Sequence, residues 1–261
     1  MNRNPFKNLT VLITGASLGI GESLARELAK DGANLILVAR SKEKLEALAS
    51  ELRKTYSIET HVFVSDLTQV IAPRSLFEAI RKANLHVDLL INNAGFGFCG
   101  PFEESILDKN QAMIELNVNA LVQLTQLFLP AMLQKGKGGI LNVASTAAYQ
   151  PLPKMALYGA TKAFVLSFTE ALYAEYQNRG IRIFCLSPGN TKTNFHEVAG
   201  VKPRRIFFSS TSEEVARFAL WNFAHTQKPS AVFGLRNKIL AYGSKLFPRR
   251  VVLAIASQIY R

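Results

Sequence analysis

Residues 9–31 read LTVLITGASLGIGESLARELAKD, and this stretch decides the fold. Residues 9–14 form a short apolar run rich in branched side chains, the composition of a strand buried in a parallel sheet. A helix follows, to about residue 31. Between the two lie Gly15, Gly19 and Gly21. Glycine in a strand-to-helix turn lets the backbone come close to a pyrophosphate, and the helix N-terminus adds free N–H groups and a positive dipole end. The spacing is G-x-x-x-G-x-G, without the Gly-Lys-Ser/Thr ending of a triphosphate loop, which argues against ATP or GTP hydrolysis.

Working outward, the same alternation repeats. Strands are expected at residues 34–39, 60–65, 87–92, 138–144 and 182–186, with a short seventh at 231–233. Helices are expected from Ser41, as an N-cap, to about 56, then over 73–83, 108–134 and from about 155. Pro130 should bend or interrupt the long third one. Thr211 and Glu214 have capping-box spacing and open a helix to about 225. This order predicts an α/β fold: one Rossmann-type, doubly wound parallel sheet of about seven strands, with its ligand site beyond the carboxyl ends of the strands. Residues 1–235 form the dinucleotide-binding and catalytic domain, and 236–261 are a basic amphipathic tail of that domain. Residues 190–210 show neither period and read as a flap over the site.

Composition narrows the class. A 261-residue chain with 48% hydrophobic and 19% charged residues has enough apolar sequence for a sizeable core. Its two cysteines, Cys99 and Cys185, lie far apart and suggest neither a disulfide framework nor a metal site, and the four histidines do not cluster. No run of 18 apolar residues is present, so no spanning helix is expected, and a cytoplasmic location follows. The net charge of +12 is uneven: residues 202–261 hold 11 basic and 2 acidic side chains, or +9. That segment calls for an acidic neighbour (a phosphorylated ligand, an anionic membrane or nucleic acid) unless the charge serves solubility alone.

A second stretch carries the chemistry. Residues 142–164, NVASTAAYQPLPKMALYGATKAF, read as a strand end, a proline-containing loop and a helix start. Ser145 stands where the strand stops. Tyr158 and Lys162 fall at i and i+4 on one helix face. A cation beside a phenol favours the phenolate, and such a tyrosine can exchange a proton with a substrate oxygen. At the end of the second strand the chain reads Ala39-Arg40 instead of a carboxylate. Arginine accepts a 2′-phosphate that an Asp would repel, which favours NADP(H) over NAD(H).

Over residues 8–235 this set of motifs resembles the short-chain dehydrogenase/reductase family: TGASLGIG (Thr14–Gly21), Asp66-Leu67, NNAG (Asn92–Gly95), Asn117, Ser145, Tyr158-x-x-x-Lys162 and Pro188-Gly189. The resemblance implies an NADP(H)-dependent oxidoreductase moving a hydride between the nicotinamide and a carbonyl or secondary alcohol. It assigns Tyr158 as general acid/base, Ser145 as the group polarising the carbonyl, and Lys162 as partner of the ribose and of the Tyr158 phenolate. Asn117, with Asn119 as a competitor, would anchor a water of the proton relay. Cofactor contacts would come from Gly15, Ser17, Gly19, Ile20, Gly21 and Arg40. Asp66 and Leu67 would flank the adenine, with Asn93, Ala94 and Gly95 on the adenosine–ribose side and Pro188, Gly189, Thr191 and Thr193 at the carboxamide. No metal is required.

A non-catalytic NADP(H)-binding or scaffolding protein is the alternative, and it leaves the complete Asn–Ser–Tyr–Lys set without a use. Phe96, Phe98, Phe102, Tyr149, Leu152, Met155, Phe195, Phe207 and Phe208 could line an apolar pocket for an acyl or lipid-like small-molecule substrate. A looser likeness, in the second-strand ending and the LFPRR of the tail, is to the 3-oxoacyl and steroid-type reductase branch. The family also implies a homodimer or homotetramer, and nothing in the motifs points to nucleic acid. In the tail, Pro248 should open a helix to the chain end with Val252, Ile255, Ala256 and Ile259 on one face. That helix either packs on the protein or lies on a membrane surface.

Overall fold

The computed structural model describes residues 4–200, 209–244 and 246–259. Phe207 and Phe208, and Lys245 and Arg261 of the tail, lie outside the described residues.

The alternation gives β1 (Thr10–Thr14), α1 (Gly19–Lys30), β2 (Asn34–Ala39), α2 (Lys42–Tyr56), β3 (Thr60–Val64), α3 (Ala72–Lys82) and β4 (Leu89–Asn92). Then come α4 (Leu107–Ile114), a π-turn (Glu115–Ala120), α5 (Leu121–Lys135), β5 (Gly138–Val143), α6 (Ala156–Tyr176) and β6 (Ile181–Ser187). The chain continues through α7 (Phe195–Val198), α8 (Ser212–His225), β7 (Ser230–Val232), α9 (Leu235–Gly243) and α10 (Arg249–Ile259). All seven strands are parallel in the order β3-β2-β1-β4-β5-β6-β7. The winding direction reverses between β1 and β4, which opens a crevice at their carboxyl ends.

Side-chain alternation explains the continuous apolar runs. Val11 and Ile13 enter one core layer with Leu24 and Leu28 of α1, while Leu12 enters the other with Phe128 and Met132 of α5. The inner strands are covered on both faces, so neither face needs polar residues, whereas the edge strand β3 is mostly half-buried and leaves Val64 exposed. One polar chain is built into the middle. Asn92 Nδ2 donates to Asn142 Oδ1 (2.9 Å) and Thr125 Oγ1 (3.2 Å), and Asn142 Nδ2 donates to Thr169 Oγ1 (2.9 Å). It pins the ends of β4 and β5 to α5 and α6.

Several expectations change. Pro130 does not interrupt its helix, which continues to Lys135; the irregularity is the π-turn about three to four turns earlier. The whole Leu107–Lys135 segment is long and apolar enough to cross a membrane, contrary to expectation. It is a core helix here, with Leu124, Phe128 and Met132 buried against the sheet. Ser41 occupies the N-cap of α2, yet its hydroxyl turns to Glu43 (3.5 Å) instead of capping the backbone. The Thr211–Glu214 capping box forms in full. Residues 235–243 are helical, an element the sequence pattern did not reveal. Tyr149 leaves the expected pocket group and packs with Leu121, Val165 and Cys185.

Candidate active site

The glycine turn is shaped by contact as well as by torsion. Gly15 has φ +68°, and a Cβ on Gly21 would stand 2.2 Å from the Gly15 carbonyl oxygen, so only glycine closes this turn. Asn93 Nδ2 braces it from β4, donating to the Thr14 carbonyl (2.9 Å), while Thr14 Oγ1 accepts from the Asn93 and Ala94 amides (3.1 Å each). Asn92 therefore ties β4 to β5, and Asn93 ties β4 to the turn after β1. The first turn of α1 has no side-chain cap, leaving its N–H groups for an anion.

Along the rim, Arg40 is exposed and makes no ion pair among the described residues. Asp66 Oδ1 accepts from the amide and hydroxyl of Thr68 (3.1 and 2.8 Å), which holds the loop after β3 while Leu67 is buried. On the far side, a Cβ on Gly19 would come within 2.8 Å of Thr193 Cγ2, so Thr193 and the glycine turn face each other. Ser17 and Ile20 are half-buried in this turn. Thr191, 5% exposed, instead donates to the Gly189 carbonyl (3.1 Å) and shapes the loop. An uncapped helix start, glycines admitting close approach and an unpaired arginine fit the diphosphate and 2′-phosphate of NADP(H).

The residues expected to be catalytic lie around the ends of β4 and β5, on the loop after β5, on α6 and in the π-turn. Ser145 begins a short 3₁₀ turn (Thr146–Ala148) and its Oγ accepts from the Ala147 amide at 3.1 Å. The Pro188 carbonyl accepts from the Thr146 amide (2.9 Å), so the strand ends of β5 and β6 are tied just where Ser145 emerges. In α6, Tyr158 is 8% exposed, with its ring 5.1 Å from that of Phe195 and against Gly97. Lys162 is 5% exposed; its Nζ donates to the Val143 carbonyl (2.8 Å) and lies 5.9 Å from the Tyr158 ring centroid. Burial pulls the Lys162 ammonium down to about 8. The thiol of Cys185 is pushed up to about 12 by burial, so it is an inert core group.

Asn117, 1% exposed, sits in the π-turn. Its amide clamps the backbone of one residue: Oδ1 accepts from the Phe96 N–H (3.1 Å) and Nδ2 donates to the Phe96 carbonyl (3.0 Å). Nδ2 also reaches Thr161 Oγ1 at 3.1 Å. Asn119 donates instead to Glu115 Oε1 of its own helical segment (2.9 Å). Gly95 lies between the two sides of the site: a Cβ there would be 3.0 Å from Asn117 Oδ1 and 3.4 Å from Lys162 Nζ.

Sequence reading missed three participants. Thr161 completes the Asn117 clamp and is hidden among ordinary helix residues. Asn237 of α9 packs its amide over Gly189, where a Cβ would meet it at 2.3 Å, and donates to the Phe233 carbonyl (2.8 Å). Tyr242 stands edge-on to Tyr149 at 5.7 Å. Of the expected pocket residues, Leu152 and Met155 form a buried cluster with Tyr158 and Met113, with Phe96, Phe98 and Phe195 packed on it. A cavity of about 30 Å³ beside it is lined by Phe98, Phe102, Met113, Lys154 and Leu157, among others.

A parallel sheet reversing at β1/β4 with a glycine turn there, and Ser145 beside Tyr158 and Lys162 of α6, define a Rossmann-type dinucleotide-binding fold. A family profile described as "short chain dehydrogenase" matches residues 9–202, and the chain belongs to that family. It is 37% identical over 213 residues to hydroxysteroid dehydrogenase-like protein 1 of Gallus gallus, covering 80% of this chain and 63% of the relative. It is 37% identical over 215 residues to the very-long-chain 3-oxoacyl-CoA reductase of Anas platyrhynchos, covering 80% and 67%. The chain thus spans about two thirds of the length of these relatives. Among solved structures, a short-chain dehydrogenase from Sphingobium yanoikuyae in complex with NADPH superposes with a TM-score of 0.84 at 31% identity, covering 94% of this chain and 95% of the other.

Proposed function

We propose that the protein is an NADP(H)-dependent oxidoreductase acting on a carbonyl or secondary alcohol of an apolar, acyl or lipid-like small molecule. The observation that carries this is one arrangement: Ser145 just past the end of β5, Lys162 bonded to Val143 of that strand, Tyr158 beside it on α6, and Asn117 across Gly95 from Lys162. Arg40, with no carboxylate at that strand end, supports the phosphorylated cofactor, as does the NADPH-bound relative. Bound there, NADP(H) supplies or accepts the hydride.

The chain's own residues supply orientation and the proton. The Tyr158 hydroxyl donates to the substrate oxygen as charge builds on it, and Ser145 donates a second hydrogen bond to the same atom. Lys162 keeps two N–H donors beyond the Val143 carbonyl, one for a ribose hydroxyl and one toward the relay, and its charge favours the phenolate left on Tyr158. Asn117 holds the Phe96 peptide and, at the π-turn, anchors a water leading from Lys162 outward. The cluster of Phe98, Met113, Leu152, Met155 and Phe195 excludes bulk water and suits an apolar chain. The names of the relatives, a 3-oxoacyl-CoA reductase and a hydroxysteroid dehydrogenase-like protein, point to the same substrate range. Assembly as a homodimer or homotetramer and residence at a membrane surface fit this class.

The test follows NADPH and NADH oxidation with a panel of 3-oxoacyl thioesters of rising chain length, steroid ketones and a small water-soluble ketone. Turnover with NADPH that grows with chain length supports the reading. Absence of turnover on every substrate, with NADPH bound, would leave a binding protein.

A further inference from the structure

We infer that α9, the following turn and α10 form a docking surface for an anionic lipid bilayer, set at the mouth of the catalytic cleft. Among the described residues, nine of nineteen exposed large apolar side chains fall within residues 235–255, under a tenth of the chain. Leu235 (74%), Ile239 (63%), Leu240 (64%), Leu246 (83%) and Phe247 (58%) stand in water, and Ile255 of α10 is 54% exposed. A patch this concentrated is unusual on a water-facing surface.

The tail does not choose between packing on the protein and facing outward; it does both. The inner face of α9 carries Asn237, the buried Ala241 and Ser244, whose hydroxyl donates to the Tyr149 carbonyl at 3.1 Å. In α10, Ala256 is buried and Val252 half-buried, while Val251, Leu253 and Ile255 point out. Ile255 was expected to share a face with Val252 and Ala256, yet it is exposed where Ala256 is buried; the side chain of Ile259 is outside the described residues.

Charge selects the occupant. From Val215 to Arg261 the chain holds eight Lys and Arg residues and no Asp or Glu. Arg249 and Arg250 are fully on the surface beside the apolar side chains. A second copy apposing the same face would bring like charges together, and nucleic acid offers nothing to Leu, Ile and Val. An anionic membrane takes both features at once: apolar side chains enter the acyl boundary while basic ones meet headgroups. α10 is too short to span a bilayer, so the protein would lie on it.

Position links the surface to catalysis. Tyr149, which Tyr242 and Ser244 of this segment touch, follows Ser145 on the same loop, and Gly189, covered by Asn237, follows β6. A lipid-like substrate would then reach the cleft from the bilayer; this last step rests on the proposed substrate class, whereas the docking does not.

Co-sedimentation of the full chain with phosphatidylcholine vesicles, with and without phosphatidylserine, tests it. Binding should require phosphatidylserine and weaken with salt. Phe247→Ser with Leu246→Ser, and separately Arg249→Glu with Arg250→Glu, should each lower the bound fraction by about tenfold or more. Thermal unfolding and turnover of a water-soluble ketone, run alongside, should be unchanged, which separates failure of docking from failure of the proposed activity. If the protein stays in the supernatant with both vesicles, or the variants bind as the parent does, the inference is wrong. Loss of a dimer in the same variants, without vesicle binding, would assign the face to a second copy.

Discussion

The ammonium of Lys162 donates to the main-chain oxygen of Val143 across 2.8 Å. Val143 is the last residue of β5, two before Ser145, so one hydrogen bond fixes the catalytic helix to the strand that delivers the hydroxyl. Among the described residues the cation makes no ion pair with a carboxylate, and burial is what loosens its proton.

A pH-dependent stability follows. The buried ammonium loses its proton at about 8, against 10.5 for the free group. Between those two values the unfolded chain binds a proton that the folded chain does not, so this group makes stability rise with pH there. Below that window the folded state bears the full cost of desolvation. Lys162→Met should therefore be the more stable protein at pH 7, by on the order of 1–3 kcal/mol, with the gap closing toward the top of the window. Urea unfolding of the cofactor-free protein at both ends reads this directly, and a gap independent of pH would refute it. The same substitution should abolish turnover.

Tyr158→Phe keeps the ring that packs on Phe195 and Gly97 and removes only the proton donor. Activity should fall by at least about 10²-fold while unfolding temperature and NADPH affinity barely change. Turnover equal to the parent on a good substrate would dismiss Tyr158 as the acid.

Arg40→Asp replaces an exposed cation at the end of β2 by the group that favours a free ribose. NADPH binding should weaken by about 1.5–3 kcal/mol while NADH binding improves in relative terms. Calorimetric titration with both cofactors measures the two changes, and an unaltered NADPH affinity would remove Arg40 from the site.

Asn117 and Asn119 make a controlled pair. Asn117→Ala deletes the clamp on Phe96 and the bond to Thr161, leaving buried polar groups without partners, at a cost of about 1–3 kcal/mol. Asn119→Ala loses one bond to Glu115 and should stay within about 0.5 kcal/mol of the parent. Equal effects of the two substitutions on stability and turnover would mean that the π-turn geometry does not depend on the clamp.

The sheet, its strand ends and the four proposed catalytic positions could be picked out in the linear chain because their signals are local. Branched apolar runs covered on both faces announce buried parallel strands, a glycine turn announces itself by what other residues cannot do there, and Tyr158 and Lys162 share a face by helical period alone. The capping box of α8 belongs to the same class: its two partners lie three residues apart. What the linear chain did not carry were relations set by neighbours far away in sequence. Pro130 looked like the break in the long helix, yet the irregularity fell at Asn117, where the backbone of Phe96, 21 residues earlier, offers the side chain both a donor and an acceptor. Tyr149 looked like a pocket residue, and packing against Val165 and Cys185 took it elsewhere. The tail looked like a choice between packing and exposure, because periodicity ranks the faces of a helix without saying what lies against either. Only the folded chain, by bringing Asn237 over Gly189 and Ser244 to Tyr149, decided which side of α9 belongs to the protein and which is left for something else.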